Sequence, residues 1–137
     1  MSFTATAQSI DGGLRHEVDV NGRHTIVTDE PRALGGTDTG PAPHELMPAM
    51  IAACVSTTLA LYAERHGWRL DGLRVDVAYE ADASPRRVDI TTHLPSALSA
   101  EQVSRLERVA ATCPVRRALE AGFAFDERIV TDLPAAA

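Results

Sequence analysis

The chain holds two thiols, Cys54 and Cys113. A thiolate can serve as nucleophile or redox centre, whereas a buried thiol can equally be a small apolar filler. So wide a separation excludes a CxxC redox pair and a zinc knuckle. Cys54 stands in "PAMIAACVSTTLALYAE", among small and apolar residues and well inside a predicted helix. There it gains little from the helix dipole, so a reactive thiolate at Cys54 requires a nearby cation. Cys113 precedes Pro114; with Pro114 opening a short helix, Cys113 sits at a helix N-terminus, and local electrostatics makes it the more acidic thiol. Other chemistry has less support. His16, His24, His44, His66 and His93 show neither HxxxH nor HExxH spacing, so no metal site is expected. His44 and Glu45 lie at the mouth of the helix that carries Cys54, where Glu45 also complements the macrodipole whatever the function. "GGTDTGP" lacks the spacing and the lysine of a phosphate-binding loop, and no GxSxG elbow occurs.

The elements that must position these residues follow from periodicity. "FTATAQ" and "LRHEVDVNGRHTIVTD" predict a β-meander, with Leu14, His16, Val18 and Val20 on one face and Asn21-Gly22 at a tight turn. The Gly- and Pro-dense "LGGTDTGPAP" is a loop. A long helix then begins near His44 or Glu45, holds Pro48 in its first turn, and ends at His66 with Gly67 as the residue beyond its cap. It is apolar nearly all round, so protein must enclose it on most sides, and a second subunit is a plausible source. "LRVDVAYEAD" and "RRVDITTHL" predict an antiparallel hairpin. Ser99 and Gln102 form a capping box ahead of an amphipathic helix, "VRRALEAG" is a short helix, and "AFDERIV" reads as a last strand. The class is α+β, because the strands come in hairpins, and residues 1–137 form a single domain.

Composition narrows the partners. The net charge is -6, and all thirteen basic residues are arginine with no basic block, so neither nucleic acid nor an anionic membrane is expected. The N-terminus lacks a basic and apolar leader, so a cytoplasmic location is expected. The apolar run Leu46–Tyr62 is interrupted by Pro48, Ser56, Thr57 and Thr58, and a buried core helix is expected rather than a membrane span.

"GGTDTGPAPHELMPAMIAAC" followed by "CPVRRAL" resembles the OsmC/Ohr family of osmotically induced and organic hydroperoxide resistance proteins. The resemblance covers nearly the whole chain. It implies an intertwined homodimer, in which two long helices bearing the first cysteine lie in a core wrapped by sheets. It also implies a thiol peroxidase in which Cys54 attacks the hydroperoxide and Cys113 resolves the sulfenic acid as a disulfide. No bound cofactor is implied; an external dithiol, lipoyl-linked in one branch, is the reductant. Family peroxidases set an arginine from the N-terminal strands against the reactive thiol, held by a glutamate ten residues before it. Arg15, or else Arg23, matches that arginine by position. His44 stands where the family has the glutamate, and Glu45 follows one position later. Met50, Ile51 and Leu61 are expected to line an apolar substrate pocket. Two other readings stay open: a dimeric small-ligand-binding or redox-sensing module, and a Cys/His acyl-transfer enzyme using His44.

Overall fold

The computed structural model describes residues 1–135. Three antiparallel strands open the chain: β1 (Ala5–Ser9), β2 (His16–Val20) and β3 (His24–Thr28), with β2 central and Ala7 opposite Val18, Val18 opposite Ile26. Asn21 and Gly22 both take positive φ at the β2–β3 turn, a conformation that asparagine and glycine tolerate best. This sheet leaves all of β1 and most of β3 exposed.

The loop after β3 contains a turn of 3-10 helix at Arg32–Leu34 and is gathered around Asp29. The Asp29 carboxylate accepts from the Thr37 hydroxyl at 2.5 Å, the Thr39 hydroxyl at 2.8 Å and the Glu30 N–H at 2.8 Å. The loop delivers the chain to α1 (Pro43–Arg65), whose first helical residue, Pro43, needs no N–H partner. Gly67, at φ 67, turns the chain out beyond its C-cap, His66.

β4 (Arg74–Glu80) and β5 (Arg87–His93) form the expected hairpin, and β4 alternates exposed Arg74, Asp76, Ala78 and Glu80 with half-buried Val75, Val77 and Tyr79. α2 (Ala100–Ala110) is capped reciprocally by Ser99 and Gln102 as expected, and α3 (Pro114–Ala121) follows. α1 packs against β4, α2 and α3, burying Ile51, Val55 and Leu59 with Leu106 and Cys113. By length and composition α1 could span a bilayer; here one face of it is the core of the fold.

One expected element is not formed. "AFDERIV" is no strand in this structure: residues 122–135 adopt neither helix nor strand, and all of them are exposed. A strand exists only through hydrogen bonds to a neighbour, and no edge of this chain pairs with the segment. Phe123, Phe125, Ile129, Val130 and Leu133 therefore stand in an apolar arm without cover.

Candidate active site

Successive residues of a helix turn by about 100°, so α1 presents two stripes. Ile51, Val55, Leu59 and Ala63 face the core; Met50, Ala53, Thr57, Ala60 and Leu61 are exposed, Met50 at 43% and Leu61 at 47%. Cys54 falls between the stripes and is half-buried, its sulfur packed against the core cluster. Cys113 occupies the N-cap position of α3 and is fully buried. The structure brings the two thiols together: half-buried Cys54 packs on the buried cluster that contains Cys113.

That geometry removes the acidity expected of Cys113. Burial pushes the Cys113 thiol above its ordinary value, and the neighbouring Cys54 thiol acts in the same direction. The N–H groups of Arg116 and Val115 at the start of α3 pull the other way and are outweighed. A helix N-terminus lowers a thiol only where the thiolate keeps some solvation. Cys113 is thus a buried thiol held protonated beside Cys54, which suits it to follow rather than to lead.

The residues expected around Cys54 are not gathered by one chain. His44 and Glu45 are ten and nine residues before Cys54, roughly 15 and 13 Å along the helix axis. Glu45 Oε2 accepts the Ala42 N–H at 2.8 Å, a capping bond, and the His44 ring meets Tyr79 edge-on with centroids 6.0 Å apart. Arg15 lies between β1 and β2, and its Nε is buried without an acceptor among the described residues. Arg23 is exposed at the β2–β3 turn. The N-terminal sheet shares no packing with α1 comparable to that of β4, α2 or α3.

Of the three expected pocket residues, Ile51 lines a groove of about 730 Å³, with Met47, Tyr79, Val88 and Leu119 as its apolar walls. Met50 and Leu61 lie on the exposed stripe instead. Arg86, Arg116 and Glu120 rim the groove; Arg116 Nε is bonded to Glu120 at 2.9 Å. Sequence reading missed these residues, although Met47 is one turn before Ile51 and Arg116 one turn after Cys113. Among the described residues no cluster of three His, Cys, Asp or Glu side chains could hold a metal ion.

The signature of the OsmC-like proteins (OsmC) matches residues 36–128, a span that contains α1, the hairpin, α2, α3 and both thiols. The chain belongs to the OsmC-like protein family. Solved structures agree with the assignment. An osmotic stress induced and detoxification response protein from Psychrobacter arcticus is 25% identical, with a TM-score of 0.71 over 85% of this chain and 87% of that one. An OsmC-like protein from Mycoplasma pneumoniae, 18% identical, also gives 0.71 over 88% of each chain. An organic hydroperoxide resistance protein from Legionella pneumophila is 22% identical, with a TM-score of 0.62 over 85% and 88%. No curated protein matches the sequence.

Proposed function

We propose that this OsmC-like protein is a thiol peroxidase that reduces organic hydroperoxides, working as a homodimer in the cytoplasm. The observation that carries the reading is the packing of Cys54 against Cys113's cluster, two thiols far apart in sequence and held by different helices. The Cys54 thiolate attacks the distal oxygen of ROOH; the O–O bond breaks, the alkoxide takes a proton and leaves as ROH, and Cys54 becomes a sulfenic acid. The Cys113 sulfur then displaces hydroxide from it, which leaves as water with the Cys113 proton, and a disulfide forms. An external dithiol, lipoyl-linked by family resemblance, returns both cysteines to thiols and is itself oxidised to a disulfide. The two sulfurs carry both electrons, so no bound cofactor is required.

The dimer reading is supported by what one chain leaves unfinished. Met50 and Leu61 beside Cys54, and the arm of Phe123, Phe125, Ile129, Val130 and Leu133, are exposed apolar surface of the kind that a second copy covers. Arg15 has a buried nitrogen without an acceptor, and His44 and Glu45 cannot reach the Cys54 of their own helix. In this reading the second copy supplies them. Apolar surroundings favour an alkyl hydroperoxide over hydrogen peroxide.

The groove beside Ile51 supports a second reading, a dimeric binding or redox-sensing module with no turnover. One assay separates the two: consumption of cumene hydroperoxide by freshly reduced protein with dithiothreitol, then with dihydrolipoamide. Wild type is expected to turn over and Cys54→Ser to be inert. Absence of turnover by wild type with either dithiol refutes the peroxidase and leaves the module.

A further inference from the structure

Asp29 is the only buried carboxylate among the described residues. Besides the bonds given above, its oxygens accept the backbone N–H of Thr37 at 3.2 Å and of Thr39 at 3.1 Å. Its own N–H donates to the Pro41 carbonyl at 3.2 Å, and the Asp38 N–H donates to the Glu30 carbonyl at 3.1 Å. Two glycines let the backbone close on itself: a Cβ at Gly36 would overlap the Glu30 carbonyl, and one at Gly40 the Val27 carbonyl. Residues 29–41 are thereby tied into a rigid knot between the end of β3 and the start of α1.

The knot matters because little else fixes the N-terminal sheet. β1, β2 and β3 pack on no helix of the chain to any comparable extent, so the angle between the sheet and α1 is set where β3 turns into the loop. Another loop conformation would strip a buried carboxylate of its donors, which is heavily penalised. We infer that Asp29 is a positioning residue for the thiol site: through Thr37 and Thr39 it fixes the sheet that carries Arg15 relative to α1, and so fixes where Arg15 meets a Cys54 thiol when two copies pair. The inference rests on the peroxidase and dimer readings in giving Arg15 the thiol as its object.

The test uses the full-length chain with Asp29→Asn, Thr37→Val, Thr37→Ser and Arg15→Ala. Each is assayed for Cys54 alkylation by iodoacetamide at neutral pH in a Cys113→Ser background, and, with Cys113 intact, for disulfide formation with diamide and for cumene hydroperoxide kcat/KM. A misplacement of about 1 Å can cost on the order of 100-fold in rate. Asp29→Asn and Thr37→Val are therefore expected to slow alkylation and kcat/KM by roughly tenfold or more, as Arg15→Ala does. The Cys54–Cys113 disulfide should still form, because α1 and α3 alone hold those sulfurs, and Thr37→Ser should restore wild-type rates. Wild-type alkylation in Asp29→Asn or in Arg15→Ala overturns the inference. So does loss of disulfide formation in step with alkylation, which would mark a general folding role. Where Asp29→Asn does not fold, the Thr37→Val and Thr37→Ser pair decides. Failure of the peroxidase reading shows separately, as a wild type that consumes no peroxide while alkylation still reports on the knot.

Discussion

Replacing Cys113 by serine separates its chemical role from its structural one. The side chain is fully buried, and placing an uncompensated hydroxyl there costs about 1–3 kcal/mol. Position 113 is also the N-cap of α3, with the Val115 and Arg116 N–H groups directed at it, and serine is a preferred cap worth about 1 kcal/mol. The two effects oppose each other, leaving a net loss of at most about 2 kcal/mol. For a chain of this size that lowers Tm by up to roughly 10 °C, so the variant remains folded at room temperature. Its chemistry should change in kind. After one equivalent of cumene hydroperoxide, intact-mass measurement of wild type should show the loss of two hydrogens and no dimedone adduct. Cys113→Ser should carry one dimedone adduct at Cys54, and excess peroxide should convert Cys54 to the sulfinic acid. Because burial keeps Cys113 protonated, Cys54→Ser should leave Cys113 unmodified under the same conditions. A Cys113→Ser protein that turns over at the wild-type rate without forming an adduct would refute the resolving role. Oxidation of Cys113 in Cys54→Ser would refute the assignment of which sulfur leads.

Removing residues 123–137 takes away five large exposed apolar side chains, each worth about 1.5–3 kcal/mol when buried. Their sum is comparable to the roughly 4–15 kcal/mol lost on association, so light scattering at micromolar concentration should find the full chain dimeric and the truncated chain monomeric; a monomeric full chain would sink the dimer. The bond from the Thr37 hydroxyl, which leads the effects at Asp29, joins the N–H bonds of Thr39 and Glu30 to hold its carboxyl well below the usual range against the opposing effect of burial. Its folded value lies below the unfolded value of about 3.9, so its contribution is complete above that pH and is lost as the pH falls toward the folded value. Thermal melts at descending pH should show wild type losing that advantage over Asp29→Asn, and parallel curves would contradict the account.

Much of the scaffold was legible because local chemistry decided it. Asn21-Gly22 admits the positive φ of the β2–β3 turn, Ser99 and Gln102 cap α2, and Gly67 terminates α1. The thiol pair was legible only through family resemblance, since no local pattern joins Cys54 to Cys113. What was missed depends on tertiary burial. The N-terminus of α3 argued for an acidic Cys113, and only the packing of α1 over it shows that desolvation prevails. α1 is apolar nearly all round, so periodicity could not distinguish Ile51, which lines the groove, from Met50 and Leu61, which do not. "AFDERIV" alternates as a strand should, yet alternation supplies no partner. Asp29 went unnoticed because its ligands, Thr37 and Thr39, lie in what reads as ordinary loop composition.

Cys54 belongs to the central helix and Cys113 starts the last one, so their packing joins two distant parts of the chain. A covalent link there would staple the chain into a loop of about 60 residues and restrict its unfolded state by roughly 4 kcal/mol. Molecules waiting for reductant would then outlast reduced ones under heat or protease. Were that link to form in use, lifetime would be tied to oxidant exposure, and the protein would accumulate when peroxide outran the dithiol supply, with no change in its rate of synthesis.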